Sequence, residues 1–155
     1  DAGTYNAAKG STSVSACTPC DAGTYNAAKG GASVGACIPC GAGTYNGAQG
    51  ATACTSCPAG FWVFVGQQSC QACAAGTYST NGSSTCTQCV EGKYSGPQSS
   101  ECKVCSAGKY SEFGQPSCSF CPAGTYSAAQ ATTCTPCDNG DFSGVGASAC
   151  ESCSN

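Results

Sequence analysis

Apolar residues do not recur along the chain at the i, i+3, i+4, i+7 spacing of an amphipathic helix, so we expect essentially no helix. Instead, a glycine followed two residues later by an aromatic residue occurs nine times. Segments such as Gly-Thr-Tyr-Ser and Gly-Lys-Tyr-Ser indicate a short strand entered through a glycine turn. The middle of each repeat, for example 81–83 or 129–131, has the composition of a turn. A second short strand then leads into a Cys-x-x-Cys pair, so each repeat is predicted to form a small two-stranded module.

The Cys-x-x-Cys pairs divide the chain into nine repeats. The predicted repeats are 1–20, 21–40, 41–57, 58–73, 74–89, 90–105, 106–121, 122–137 and 138–155. Repeats 1 and 2 differ at only four positions, which indicates duplication of a module. Because one module is too small to bury a core, we expect the modules to stack on their neighbours. The predicted architecture is an elongated tandem-repeat rod with no single hydrophobic core.

The composition supports a scaffold held by crosslinks. Leu, Ile, Val and Phe number 13 of 155 residues, about 8 per cent, whereas a packed apolar core becomes doubtful below roughly 20 per cent. The 18 cysteines make up about 12 per cent, above the roughly 8–10 per cent that is typical of disulfide scaffolds. The fold class is therefore predicted to be small, disulfide-rich and all-β or irregular, and a single-core globular enzyme is excluded.

Loop size favours one pairing of the cysteines. A bridge within a Cys-x-x-Cys pair closes a very small loop and is often strained. A bridge from the second cysteine of one repeat to the first of the next encloses most of a repeat, a loop size for which chain entropy gives roughly 3 kcal/mol. The predicted pairs are Cys20–Cys37, Cys40–Cys54, Cys57–Cys70, Cys73–Cys86, Cys89–Cys102, Cys105–Cys118, Cys121–Cys134 and Cys137–Cys150. The aromatic residue of each loop is expected to cover its bridge; these residues are Tyr5, Tyr25, Tyr45, Trp62, Tyr78, Tyr94, Tyr110, Tyr126 and Phe142.

The segment 121–127, Cys-Pro-Ala-Gly-Thr-Tyr-Ser, followed by Cys-Thr-Pro-Cys at 134–137, resembles the ephrin-receptor-like cysteine-rich repeat. It is also similar to the first loop module of tumour necrosis factor receptor cysteine-rich domains. The resemblance extends over all nine repeats. It implies an extended, disulfide-bonded, extracellular module with the same loop pairing. The second, differently bonded module type of those receptors is missing here.

The pairing leaves Cys17 and Cys153 without partners in the chain. Joined to a following copy, they would be separated by Ser154, Asn155 and residues 1–16, close to the loop length of repeat 2. A head-to-tail contact of this kind yields an open filament. We therefore expect the chain to be one period of a fibre, either within a longer polypeptide or through disulfides between copies. The sequence begins with Asp1 and contains neither an initiating Met nor a signal peptide, so we expect a processed product or a segment of a longer chain.

Other chemistry is disfavoured. Four-cysteine zinc sites need two pairs each, and nine pairs cannot be grouped by twos. A redox-active Cys-x-x-Cys needs a helix N-terminus, and none is expected. There is no His, and the nearest acidic pair, Asp138 and Asp141, is interpreted as a solvated turn. With a net charge of −3 and no Arg, nucleic-acid binding is not expected, and no apolar stretch is long enough to span a membrane. We predict no catalytic site, no cofactor and no metal.

Two further sites stand out. Repeat 4 carries Phe61, Val63, Phe64 and Val65 around Trp62, which we interpret as an exposed interaction patch, with packing against a neighbouring repeat as the alternative. Asn81 begins the only Asn-x-Ser/Thr sequon and is a candidate for glycosylation.

These patterns favour a secreted, cell-surface-associated structural protein without enzymatic activity. Its partner would be itself, in head-to-tail and lateral assembly into a fibre, coat or appendage, together with glycans. The alternative is a receptor or adhesion ectodomain whose modules bind a ligand.

Overall fold

The computed structural model describes residues 1–153; residues 154 and 155, the end of the ninth predicted repeat, lie outside the described residues. Each of the nine repeats contains one antiparallel pair of two-residue strands. The first strands are Thr4–Tyr5, Thr24–Tyr25, Thr44–Tyr45, Phe61–Trp62, Thr77–Tyr78, Lys93–Tyr94, Lys109–Tyr110, Thr125–Tyr126 and Asp141–Phe142. The second strands are Thr18–Pro19, Ile38–Pro39, Thr55–Ser56, Gln71–Ala72, Thr87–Gln88, Lys103–Val104, Ser119–Phe120, Thr135–Pro136 and Glu151–Ser152. The predicted all-β, disulfide-rich fold class is confirmed.

Each strand pair begins at the glycine that precedes the aromatic motif. Gly108, for example, has a φ of +81°, a backbone conformation that glycine adopts without steric cost. The chain then enters the first strand, and Lys109 pairs with Phe120 while Tyr110 pairs with Ser119. The Cys121 N–H donates to the Gly108 carbonyl at 2.9 Å and closes the hairpin. The Gly-x-aromatic motif and the Cys-x-x-Cys pair therefore mark the two ends of one hairpin.

Apart from two single-turn 3-10 helices, the expectation of essentially no helix is confirmed for residues 1–153. The two turns span Val14–Ala16 and Val34–Ala36, in the two 20-residue repeats, and no α-helix forms within residues 1–153. The Ser13 side chain accepts from the Ser15 N–H, and the Cys17 N–H donates to the Val14 carbonyl at 3.1 Å. The longer repeats thus place their additional residues in a short helical turn before the first cysteine. An isolated turn of three residues has no amphipathic period, so the hydrophobic pattern could not show it.

The described repeats form two compact units, one of residues 1–72 and 80–85, the other of residues 73–79 and 86–153. Within each unit, consecutive repeats are joined by backbone hydrogen bonds. The Gly108 N–H donates to the Ser127 carbonyl at 2.9 Å, and the Ser111 N–H donates to the Ala131 carbonyl at 3.3 Å. The second bond belongs to a parallel bridge between Tyr110 and Ala131. Equivalent bonds join repeats 1 and 2, where Gly3 donates to Asn26.

Within each unit, contacts also reach across two repeats. We call the first glycine of a repeat, together with its second cysteine, the seat of that repeat; the seat of repeat 7 is Gly108 and Cys121. We call the left-handed residue in the middle of a repeat its turn residue; in repeat 9 it is Gly146, with a φ of +74°. The Gly146 N–H donates to the Cys121 carbonyl at 2.8 Å, and a Cβ on Gly108 would overlap the Gly146 carbonyl oxygen. Backbone therefore packs directly on backbone between repeats 7 and 9.

The same contact occurs six times within the two units. The seat glycines and the turn residues that cover them are Gly3 and Gly50, Gly23 and Gly66, Gly43 and Gly82, Gly76 and Gly114, Gly92 and Gln130, and Gly108 and Gly146. Repeat arrays are usually stabilised by nearest neighbours alone. Here each covered seat depends on two later repeats.

The buried interior follows from this packing. Among the described residues, the buried apolar side chains are Val63 and the second cysteines of the first seven repeats, each at most 1% exposed. Their buried neighbours are small polar residues, among them Ser95, Ser111 and Ser127. Within residues 1–153, sulfur and backbone thus take the place of a hydrophobic core, as the composition predicts.

Because of the seat contact, we expect alanine substitutions at two glycines with the same φ to lower the free energy of unfolding by different amounts. Gly108→Ala places a methyl group against Gly146. In addition, an alanine held at φ +81° is destabilised by about 1–2 kcal/mol of backbone strain. Gly124→Ala has the same φ, but no described atom lies within 4 Å of its Cβ. We expect Gly108→Ala to destabilise by more than about 1 kcal/mol beyond Gly124→Ala. Denaturant unfolding with the disulfides intact measures the difference.

Faster amide exchange at Gly146 in the Gly108→Ala variant would locate the effect at the seat. Gly144→Ala, whose φ is not left-handed and whose Cβ meets no described atom, is the control for a mutation in open space. Equal stabilities of the Gly108→Ala and Gly124→Ala variants would contradict the packing contact.

Candidate assembly site

Eight disulfides join successive repeats, between the same cysteine pairs that the sequence analysis predicts. They are Cys20–Cys37, Cys40–Cys54, Cys57–Cys70, Cys73–Cys86, Cys89–Cys102, Cys105–Cys118, Cys121–Cys134 and Cys137–Cys150. The Cα–Cα distances lie between 5.5 and 5.8 Å, within the usual range for a disulfide. In the first seven bridges the second cysteine of the repeat is fully buried. Burial of one sulfur limits the access of an attacking thiolate to these bonds.

Cys17 and Cys153 carry free thiols. Cys17 is half-buried and follows the first 3-10 turn, and Cys153 is exposed. In the repeat pattern, Cys17 is a first cysteine and Cys153 is a second cysteine. They are therefore the two kinds of cysteine that pair in every described bridge.

The seats of the last two repeats differ from the others in exposure. The seat glycines of repeats 1 to 7 are buried, whereas Gly124 and Gly140 are exposed. Cys137 is half-buried and Cys153 is exposed. No described atom lies within 4 Å of a Cβ built on Gly124 or Gly140. The turn residues Gly10 and Gly30 of repeats 1 and 2 are likewise exposed.

The residue directly after each aromatic residue is a functional position that sequence reasoning missed. The buried Ser127 hydroxyl donates to the Lys109 carbonyl of the preceding repeat at 3.0 Å, and Asn26 donates in the same way to Thr4 at 2.9 Å. Ser95, Ser111, Ser143 and Asn46 repeat this bond. The recurrence of Asn or Ser after the aromatic residue was the available signal.

Val63 occupies this buried position in repeat 4, so the prediction that it belongs to an exposed patch is wrong. Its side chain is 1% exposed, and it stands at the position where Asn26, Asn46 and Ser127 contact the preceding repeat. Phe64 and Val65, at 56% and 58% exposed, do lie on the surface, and Phe61 is half-buried. The Trp62 and Phe64 rings meet edge to face at 4.7 Å. We call Phe61, Phe64 and Val65 the apolar patch.

The other predicted positions lie on the surface or at half-buried sites. Eight of the nine motif aromatics are half-buried, and Phe142 is exposed. Tyr94 lines a shallow groove with Lys109 and Cys118 of the next repeat, and Tyr78 and Tyr126 line equivalent grooves. Coverage of the bridge within the same loop stays a prediction.

Asn81 is exposed in a turn where the Ser83 hydroxyl donates to the Thr80 carbonyl. Asp138 and Asp141 share a turn, in which the Asp141 N–H donates to the Asp138 carbonyl at 3.0 Å. In the described part of the chain, no group of three or more His, Cys, Asp or Glu side chains could hold a metal ion. Residues 1–153 contain no helix that is long and apolar enough to cross a membrane.

Comparison with known proteins gives one family. Residues 30–63, about a fifth of the chain, match the family model described as tyrosine-protein kinase ephrin type A/B receptor-like. No curated protein matches the chain. Together with the eight tandem disulfides, the match identifies a cysteine-rich repeat protein that is similar to that family over the segment 30–63.

The buried serine bond predicts a measurable loss of stability. Ser127→Ala removes the donor to the Lys109 carbonyl and should destabilise the second unit by about 1 kcal/mol. Ser106→Ala, at an exposed serine in the same unit, should change stability by less than about 0.5 kcal/mol. Denaturant unfolding of both variants tests the pair, and equal effects would contradict the role of the buried bond.

Proposed function

We propose that this chain is an extracellular structural protein whose repeats assemble head to tail into a fibre, coat or surface appendage. The observation that carries the proposal is the uninterrupted ladder of eight disulfides, with a first-type and a second-type cysteine left free at its two ends. A head-to-tail contact that repeats the same symmetry operation without closing into a ring gives an open filament. The ladder pattern therefore favours continuation in one dimension.

Extracellular location is supported by the number of disulfides. Sixteen of the 18 cysteines are bridged, and disulfides of this density persist in oxidising compartments. The match to an ephrin-receptor-like family over 30–63 is in keeping with such a compartment.

The proposed mechanism is mechanical. Tension along the chain passes through covalent bridges between consecutive repeats, so a repeat that opens stays tied to its neighbours. Each bridge restricts the unfolded chain by a loop of 13 to 17 residues in sequence separation, worth roughly 3 kcal/mol in the chain-entropy model. Few charged side chains, 8% of the residues, permit close approach of neighbouring arrays.

Covalent continuation uses the two free thiols and a small-molecule disulfide such as oxidised glutathione. The Cys153 thiolate attacks that disulfide, forms a mixed disulfide and releases one reduced thiol. The Cys17 thiolate of a second copy then attacks the Cys153 sulfur and releases the other. Two protein thiols are oxidised, one small disulfide is reduced to two thiols, and the two thiol protons pass to the released thiolates.

A receptor or adhesion ectodomain is the second candidate. The family match favours it, and the exposed apolar patch of repeat 4 offers a surface for a ligand. Variation among the repeats is modest outside repeat 4, which favours the structural role.

Native material should show extended fibres in negative-stain electron microscopy. On denaturing gels without reductant it should give a ladder of multimers that collapses to the monomer when reduced, because free thiols occur at both ends of the disulfide ladder. A single monomer band without reductant, together with monodisperse short particles, would contradict the structural role and favour the receptor.

The apolar patch predicts the lateral contact. Phe61→Ser with Phe64→Ser should disperse bundled fibres into single ones, because the patch removes apolar surface from water when fibres associate. Phe113→Ser is the matched control, since Phe113 is 55% exposed and lies outside the patch. Bundles of unchanged width in electron micrographs of the double variant would refute the lateral contact.

A further inference from the structure

Three grooves of the second compact unit, residues 73–79 and 86–153, share one construction. Each groove lies between one repeat and the next, and it is lined by the motif tyrosine of the first repeat and the bridged first cysteine of the second. We name them the Tyr78, Tyr94 and Tyr126 grooves. Their volumes are about 410, 290 and 280 Å³. Ligand pockets usually measure about 300–1,000 Å³, so each groove has room for a ligand unit of one ring.

The lining of each groove combines an aromatic ring with hydrogen-bonding side chains. The tyrosine is half-buried, so part of its surface is open to solvent. A sugar ring has a complementary character, because its C–H face is apolar and its hydroxyl groups lie around the edge. It can stack on the tyrosine while its hydroxyls bind the polar side chains. These side chains are Thr87 and Gln88 in the Tyr78 groove, Ser106 and Ser117 in the Tyr94 groove, and Thr135 in the Tyr126 groove.

Backbone groups at the Tyr94 groove also lack partners. The Cys105 N–H donates to the Gly92 carbonyl, and antiparallel pairs alternate between hydrogen-bonded and non-hydrogen-bonded residues. The N–H and C=O of the adjacent residue, Val104, therefore face away from the partner strand. Val104 is exposed and lines the groove, and among residues 1–153 neither backbone group has a hydrogen-bond partner. They offer a donor and an acceptor to a hydroxylated ligand.

The charges of the three grooves exclude an ionic polymer as their common ligand. The Tyr94 groove contains Lys109, which repels a cation, and the Tyr126 groove contains Asp138 and Asp141, which repel an anion. Both signs occur in the Tyr78 groove, at Lys93 and Glu101. A neutral chain is the type of polymer that all three grooves accept without repulsion.

Neighbouring grooves are close enough for one chain to reach both. Cys102 lines the Tyr78 groove and Cys118 lines the Tyr94 groove. Cys105 follows Cys102 by three residues, a span of at most about 11 Å, and its Cα lies 5.8 Å from that of Cys118. The two lining cysteines are therefore no more than about 17 Å apart. An oligosaccharide of several units spans this distance, and binding in the second groove then becomes intramolecular, which raises the overall affinity.

We propose that the Tyr78, Tyr94 and Tyr126 grooves bind a neutral polysaccharide, with one sugar ring stacked on each tyrosine. This binding depends neither on fibre formation nor on the free thiols, so it goes beyond the proposed structural function. It would attach the protein to a carbohydrate matrix.

A proline-rich peptide is the nearest alternative, since it is also neutral and also packs on aromatic rings. Such peptides dock in grooves lined by several aromatic side chains, whereas among the described residues one tyrosine is the aromatic lining of each groove. Proline rings also carry no hydroxyl groups for Ser106, Ser117 or the Val104 backbone. The observations therefore favour a carbohydrate.

The closing experiment titrates the 155-residue protein, with NMR and calorimetry as readouts. The probes are six-unit β-1,4-glucan, β-1,4-mannan and β-1,3-glucan, their monosaccharides, dextran sulfate and a polyproline peptide. We expect one or more of the hexasaccharides to bind at least about tenfold more tightly than its monosaccharide, because it occupies two grooves. Its affinity should be the same at low and high salt, since the ligand carries no charge. The ring signals of Tyr78 and Tyr94 should shift on binding.

Substitutions at the Tyr94 groove test the assignment. Tyr94→Leu keeps an apolar side chain but removes the aromatic face, and it should weaken hexasaccharide binding by about tenfold. Tyr94→Phe keeps that face and should change binding by less than about twofold. Phe113→Leu makes the same type of change at an exposed aromatic residue outside the three grooves and should leave binding unchanged.

Val104→Pro is a second variant that retains the hairpin bonds, because the N–H that it removes faces away from the partner strand. The equivalent position is already proline in three repeats, at Pro19, Pro39 and Pro136. We expect binding about threefold weaker than in Val104→Ala, which shortens the side chain but keeps the N–H. An unchanged denaturant midpoint shows that the fold is retained.

Absence of binding by all three hexasaccharides would overturn the proposal. So would hexasaccharide binding that neither Tyr94→Leu nor Val104→Pro weakens, because the ligand would then lie elsewhere. Binding of the polyproline peptide alone would assign the grooves to a peptide, and binding of dextran sulfate alone would assign them to an anionic chain; either result contradicts a neutral polysaccharide. Fibres and disulfide multimers are measured separately, so loss of this proposal and loss of the structural function are distinguishable.

Discussion

The covered seats depend on the direct contact of two stretches of backbone, the seat glycine of one repeat and the turn residue two repeats later. The seat glycine cannot carry a Cβ, because the Cβ would overlap the carbonyl of the turn residue, and the turn N–H donates to the carbonyl of the buried second cysteine. The same cysteine holds the disulfide to the next repeat. One position therefore anchors a covalent bond to the neighbouring repeat and a hydrogen bond to the one beyond it. The chain can do without large apolar residues because these bonds replace them.

The polar residue that follows the aromatic residue supplies a hydrogen-bond donor to backbone carbonyls that this packing would otherwise leave without a partner. A hairpin of two-residue strands leaves most of its carbonyl groups without partners, and buried ones cost free energy. Six such residues donate to a carbonyl of the preceding repeat: Asn26, Asn46, Ser95, Ser111, Ser127 and Ser143. Val63 lacks a donor, and repeat 4 instead buries methyl groups and exposes Phe64 and Val65 beside them. Repeat 4 therefore combines an unusual interior with an unusual surface.

The cysteine spacing predicted the eight bridges, because loop size separates a strained short bridge from a longer one without reference to the fold. The Gly-x-aromatic motif predicted the first strand of each repeat in the same local way. The contact across two repeats could not be predicted, since it depends on how far consecutive hairpins rotate. Strand alternation misplaced Val63, because a two-residue strand ends before the period of two extends to it. The sequence shows that Gly or Gln recurs at the turn position. It does not show that this turn residue contacts the seat glycine two repeats earlier.

A dependence on two later repeats has a consequence for biosynthesis. As the polypeptide emerges from the ribosome or a translocation channel, the newest two modules always lack the segments that complete them. If the repeats fold as they are synthesised, each repeat stays incomplete until two further repeats, about 32 to 40 residues, have followed it, and its second cysteine is accessible to an oxidoreductase during that interval. Sulfur pairing can thus be corrected near the growing end, whereas the older part of the molecule is already closed.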